Sequence, residues 1–169
     1  MLQVYSGQGK GKTTAALGLA LRAIGAGRKV LLIQFLKDGR SSEIRAVKKY
    51  LPALEVKTYG RPVFVTKNTL KDKDYQLARA GLEVAEKAVR SRRYGLVILD
   101  EVNVVVNLGL LEKEKILDLM KETPRKIELV LTGRGAKKEI IDQADLVTEM
   151  KEVKHYFRQG LKARRGIEY

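Results

Sequence analysis

The chain has no cysteine, which excludes disulfides and thiolate metal sites. It has no tryptophan, and aromatics make up only 6% of its residues. The aromatic interleaving that single-strand nucleic-acid binders stack bases on is therefore sparse. No run of 18 apolar residues occurs, so no membrane span is expected. The first residues already read as strand and loop, which leaves no room for a signal peptide, and the expected compartment is the cytoplasm. No internal repeat, linker or low-complexity segment interrupts the chain. Histidine occurs once, at His155, and no carboxylate–histidine pattern surrounds it. Acid is in the minority: 34 Lys and Arg face 20 Asp and Glu, a net charge of +14. That balance favours polyanionic partners such as nucleotides. With 169 residues and 44% hydrophobic content, one compact domain over 1–169 is expected.

What the chain does have begins at residue 6. Ser6-Gly7-Gln8-Gly9-Lys10-Gly11-Lys12-Thr13-Thr14 follows the short run Leu2–Tyr5. Strand, glycine-rich loop, Gly-Lys-Thr and helix form the arrangement that holds nucleotide phosphates. Successive backbone N–H groups in such a loop converge into an anion nest. The helix opening near Thr13 adds the positive end of its dipole. Lys12 would reach phosphate oxygens as a point charge, and the Thr13 hydroxyl would ligate Mg²⁺. One departure stands out: the usual pattern opens on glycine, and here that place is Ser6.

Leu96-Val97-Ile98-Leu99 reads as a buried parallel strand, and Asp100 and Glu101 close it. Ligands bind at that end of strands in open α/β sheets, so the two carboxylates could hold Mg²⁺ directly or through water. Strands are expected at 2–5, 30–35, 55–59, 96–101, 127–131 and 146–150. Helices are expected at about 13–26, 42–50, 72–91, 112–122 and 136–143, with a long loop over 60–71 and a basic tail from about 153. This alternation predicts an α/β fold with a mostly parallel sheet and helices on both faces, the RecA-like architecture of P-loop NTPases. Gly133 and Arg134 fall at a strand's C-terminal end, where Arg134 would meet phosphate. Arg22 lies two to three turns along the first helix, a position that by itself favours solvation.

Four segments together are more specific than the loop. Tyr5–Ala16, Ile33-Gln34-Phe35-Leu36-Lys37, and Leu99–Asn103 with Gly109-Leu110-Leu111 resemble the ATP:corrinoid adenosyltransferases of the CobA/CobO/BtuR type. So does the C-terminal third: Leu131–Gly135, Ala144–Met150, and the tail from Val153 with Val-Lys-His, Gly-x-Lys-Ala and Gly-Ile-Glu-Tyr. The resemblance covers essentially the whole chain.

The resemblance implies transfer of the 5′-deoxyadenosyl group of ATP to the cobalt of a reduced corrinoid, releasing triphosphate. It implies Mg²⁺, a cytoplasmic homodimer, and a flavoprotein reductant as partner. Carried over by residue, Gly7, Gln8, Gly9, Lys10, Gly11, Lys12, Thr13 and Thr14 would hold the triphosphate. Thr13 and Glu101 would hold Mg²⁺ with Asp100 in support, and Arg22, Gly133 and Arg134 would lie near ATP. The nucleotide would lie reversed in the loop relative to ordinary ATPases, which suits attack at C5′. The family's loop after strand three often carries two aromatics that help displace the lower cobalt ligand. Here Arg61-Pro62-Val63-Phe64-Val65 keeps only Phe64, so Pro62, Val63 and Phe64 are the expected corrinoid-facing residues. Some members also carry an N-terminal helix over the site, whereas here the site would be either more open or closed by the tail and the 60–71 loop. Competing readings are a RecA-like ATPase acting on nucleic acid, a small-molecule kinase, and a binding module without turnover.

Overall fold

The computed structural model describes residues 1–168; Tyr169, last residue of the tail motif, lies outside the described residues. Its strands are β1 (Leu2–Ser6), β2 (Val30–Phe35), β3 (Leu54–Tyr59), β4 (Leu96–Asp100), β5 (Glu128–Thr132) and β6 (Leu146–Glu149). They form one sheet in the order β3-β2-β4-β5-β1-β6, with every pairing parallel. The helices are α1 (Lys12–Gly25), α2 (Ser42–Tyr50), α3 (Asp72–Ser91), α4 (Val102–Asn107), α5 (Lys113–Glu122) and α6 (Lys138–Gln143).

Both faces of the sheet are covered, as a parallel sheet requires. The period-2 alternation of β2 splits its side chains between two layers. Val30 and Leu32 pack with Ala16 and Ala20 of α1 and Ile44 and Val47 of α2. Leu31, Ile33 and Phe35 pack on the opposite side with Ala78, Leu82 and Ala85 of α3 and with residues of α4, α5 and α6. Each Leu or Ile buried in this way contributes about 1.5–3 kcal/mol relative to exposure. Ala16 and Ala20 are fully buried, and their small size brings α1 close over the sheet.

One element was not among those expected from the sequence. The stretch Val102-Asn103-Val104-Val105-Val106-Asn107 is rich in β-branched residues, yet it is the helix α4. Glu101 turns the chain with φ 65°, ending β4 at Asp100, and Val102, Val105 and Val106 then bury one helical face. Packing overrides local preference here. The 60–71 loop is irregular apart from a single 3₁₀ turn at Lys67–Thr69. It is tied down by Arg61, whose guanidinium pairs with Asp74 through two hydrogen bonds of 2.7 Å and also reaches the Thr69 carbonyl. Asp74 in turn accepts from the Lys71 backbone N–H at the start of α3.

Candidate active site

The C-terminal ends of β1, β4 and β5 meet at one edge of the sheet, where open α/β folds place ligands. The glycine-rich loop runs from β1 into α1 there. Its glycines are required by close contact with the end of β6: a Cβ on Gly7 or Gly9 would come within 2.5 or 2.7 Å of the Met150 carbonyl oxygen. The Gly9 N–H donates to that oxygen at 2.6 Å, and the Met150 N–H donates to the Ser6 carbonyl at 2.8 Å. Ser6, the departure from the usual pattern, has its own task. Its hydroxyl donates to the Gly133 carbonyl at 3.1 Å and accepts from the Ala136 N–H at 3.2 Å, tying the loop to the segment after β5.

A cleft of about 700 Å³ opens above this loop. Gly9, Lys10, Gly11, Lys12, Thr13, Thr14, Glu101 and Arg134 line it. The Lys12 ammonium folds back to donate to the carbonyls of Gly7 and Gly9 at 2.8 and 2.7 Å. Burial pulls its pKa below that of an ordinary lysine, against the opposing pull of Glu101 and Asp100. Gly7 and Gln8 belong to the loop but not to the cleft wall, and Gly133 packs behind it against Asn103. Asn103 is buried, with neither amide atom partnered among the described residues.

Asp100 lies beneath the wall, fully buried. Its Oδ1 accepts from the hydroxyls of Thr13 and Thr132 at 2.9 and 2.7 Å. Its Oδ2 accepts from the Gln34 amide at 3.0 Å and the Lys37 ammonium at 2.8 Å. Burial alone would raise this carboxyl, but Lys37 and the two threonine hydroxyls hold it below the usual carboxylate range. Glu101 goes the other way. Burial and the neighbouring Asp100 charge raise its pKa, only partly offset by Lys37, Lys12 and Arg134.

Two groups of expected site residues lie elsewhere on the surface. Arg22 is exposed on α1, away from the cleft, with its charge felt at Tyr5. Pro62, Val63 and Phe64 are exposed outside the cleft, Phe64 at 88%. Conversely, the structure adds Gln34, Lys37 and Thr132, to which sequence reasoning gave no role. Their signal was position, since each stands at or just beyond the C-terminal end of a strand, and membership of the segments Ile33–Lys37 and Leu131–Gly135 that carry the family resemblance. The tail also contributes a wall: His155, Gly166, Ile167 and Glu168 line the cleft, and Lys10 donates to the Ile167 carbonyl at 2.8 Å.

Residues 1–169 match the family model described as ATP:corrinoid adenosyltransferase BtuR/CobO/CobP. The chain belongs to this family. It is 37% identical over 169 residues to a corrinoid adenosyltransferase of Pseudomonas aeruginosa, covering 100% of this chain and 83% of the relative. It is 34% identical over 167 residues to the corrinoid adenosyltransferase of Escherichia coli K12, covering 98% of this chain and 84% of the relative. To the corrinoid adenosyltransferase CobA of Salmonella typhimurium it is 32% identical over 167 residues, with the same shares covered. Like these adenosyltransferases it is a transferase, and the sheet, loop and cleft above are its α/β P-loop-type scaffold.

The donor set fits a hard divalent cation. Thr13, Asp100 and Glu101 offer oxygen only, and the Lys37 ammonium already hydrogen-bonds to both Thr13 and Asp100. Among the described residues no group of three His, Cys, Asp or Glu could hold a metal by itself. No helix among the described residues is long and apolar enough to cross a membrane.

Proposed function

We propose that this adenosyltransferase moves the 5′-deoxyadenosyl group of ATP to the cobalt of a reduced corrinoid and releases triphosphate. The observation that carries the reading is the cleft itself: a glycine-rich loop with Lys12 and Thr13, a carboxylate pair behind it, and Arg134 opposite, in a chain of this family. Gly9, Lys10, Gly11, Lys12, Thr13 and Thr14 hold the triphosphate, with Gly7 and Gln8 shaping the loop. Thr13 and Glu101 hold Mg²⁺, with Asp100 in support, and the ion supplies charge neutralisation of the triphosphate.

Cobalt(I) is a strong nucleophile, so the protein need not provide a base. The cobalt electron pair attacks C5′, the C5′–O bond breaks, and the electrons leave with the triphosphate oxygen. The residues align C5′ with the cobalt and stabilise the departing charge through Lys12, Arg134 and loop N–H groups. Arg134 lies in the cleft, which supports its assignment, whereas Arg22 reaches ATP only if the bound nucleotide extends along α1. Pro62, Val63 and Phe64 form an exposed apolar knuckle suited to a corrinoid face. Residues 1–169 act as one nucleotide-binding domain, and the tail from about 153 forms one wall of the site. The protein works as a cytoplasmic homodimer supplied with reduced corrinoid by a flavoprotein reductant.

The test is an anaerobic reaction of purified protein with ATP, Mg²⁺ and chemically reduced cobalamin. Appearance of light-sensitive adenosylcobalamin with stoichiometric triphosphate is the expected result. Release of ADP and phosphate without adenosylcobalamin would overturn the reading and favour a nucleic-acid ATPase.

A further inference from the structure

We infer that Lys37 is a positioning residue whose ammonium stands in for the divalent cation in the nucleotide-free site and yields that place when Mg²⁺ and ATP enter. The inference rests on the proposed assignment of Thr13, Asp100 and Glu101 to the metal.

The geometry is specific. The Lys37 Nζ lies 2.8 Å from Asp100 Oδ2 and 3.2 Å from Thr13 Oγ1. The Thr13 hydroxyl gives its proton to Asp100 Oδ1. Its oxygen therefore accepts from Lys37 with the lone-pair side that a metal would need. Among the described residues, Lys37 is the sole cation hydrogen-bonded to Asp100; the other three partners are the neutral Thr13, Thr132 and Gln34. A buried carboxylate without a counter-charge is costly, so the ammonium holds the site together before substrate arrives.

The backbone around Lys37 is closely packed. Leu36 adopts a left-handed φ of 58° immediately after β2. Its N–H donates to the Tyr59 carbonyl at 2.9 Å. Gly60 packs so closely behind that a Cβ there would sit 2.1 Å from the Lys37 nitrogen. The Lys37 side chain nevertheless keeps 31% of its surface exposed and lines the cleft, so its four-carbon stem has room to swing toward incoming phosphate. A divalent cation brings twice the charge to the same oxygens. The Lys37 ammonium would then leave Asp100 and Thr13 and be free to turn toward the triphosphate. Nucleotide and metal thus become coupled through one side chain.

Mn²⁺ replaces Mg²⁺ as an EPR-visible probe, titrated into nucleotide-free wild type, Lys37→Met and Lys37→Arg, with folding checked by circular dichroism. Removing the resident cation should tighten Mn²⁺ binding by at least about tenfold in Lys37→Met, because a competing positive charge has left the same oxygens. Lys37→Arg, which keeps the cation, should stay near wild type. In parallel, the wild-type protein is ¹³C-methylated on its lysines, and the Lys37 signal is assigned by its loss in Lys37→Arg. That signal should move when Mg²⁺ is added to the ATP-bound protein. Unchanged or weaker Mn²⁺ binding in folded Lys37→Met, or a Lys37 signal unmoved by Mg²⁺, would overturn the inference. If Lys37→Met does not fold, the wild-type signal alone decides. A Thr13→Val control separates the two levels. If it binds Mn²⁺ with ATP as tightly as wild type, the metal assignment falls and the inference with it. If Thr13→Val loses Mn²⁺ but Lys37→Met is unaffected, only the role of Lys37 falls.

Discussion

Lys12 and Glu101 show how far single side chains can be pushed in this cleft. Lys12 spends its ammonium on two loop carbonyls, which holds the loop's curvature before phosphate arrives. Lys12→Ala should weaken ATP binding by about 10- to 100-fold, the scale of lost charged hydrogen bonds, and remove activity while the far-UV spectrum stays native. Titration calorimetry measures the first effect and the anaerobic assay the second. Glu101 is held in a left-handed turn beside Asp100 with its pKa raised by burial and by that charge. A carboxyl whose folded pKa lies above its unfolded value costs stability at neutral pH, and that cost is relieved as pH falls through the raised value. Glu101→Gln should therefore stabilise the nucleotide-free protein, by about 0.5–2 kcal/mol in a thermal melt, while abolishing adenosyl transfer. A destabilised Glu101→Gln protein would mean that its charge is satisfied in the empty site.

At the scale of elements, the loop over 60–71 is anchored by an ion pair as well as by the buried Val65. Arg61 clamps it to Asp74 in the first turn of α3, so the exposed Phe64 rides on a fixed base. Arg61→Ala should lower the melting temperature and make the loop a preferred site of proteolytic nicking, as read by limited digestion. Phe64→Ala should leave stability within about 0.5 kcal/mol of wild type, because the ring is solvent-exposed. If Phe64 faces the corrinoid, the same variant should slow reduction of Co(II) while ATP affinity holds; equal losses in both would argue against that role. The Asp74 position was visible in the sequence as an acidic residue early in a helix, but its pairing with Arg61 was not. Thirteen residues separate the two, and only the loop's course brings them together.

At the scale of the whole molecule, the C-terminal segment folds back to form one wall of the cleft. Tyr156 and Arg164 both hydrogen-bond Glu168, and Lys10 of the phosphate loop reaches the adjoining Ile167 carbonyl. Arg164 and Tyr156 hold the Glu168 carboxyl down at about 2. A carboxyl depressed in this way stabilises the fold above its unfolded pKa and loses that contribution as pH falls toward the depressed value. The tail should therefore stay in place through mildly acidic solution and release between about pH 4.5 and 2, seen as a change in the Tyr156 ring resonances. Glu168→Gln should release it at neutral pH. The net charge of +14 belongs to the same scale. ATP affinity should fall as ionic strength rises, because part of the attraction is long-range and screened.

Periodicity and punctuation alone determined most of the scaffold. Alternating apolar runs and amphipathic helices specify a parallel sheet covered on two faces, and the observed strands fall where those runs lie. The loop from Gly7 to Thr14 and the Asp100–Glu101 pair were legible because their chemistry is local, carried by neighbouring residues in sequence. Folding decided what depends on distant contacts. The valine run 102–107 became a helix because Glu101 turns the chain and buries Val102, Val105 and Val106. Ser6, in the place of the usual glycine, bridges through its hydroxyl to Gly133 and Ala136, more than 120 residues away. Lys37, Gln34 and Thr132 acquired their places because parallel strands end together, bringing the ends of β2, β4 and β5 around one buried carboxylate. A linear pattern records which face a residue prefers; only the assembled sheet determines which charges must share a site.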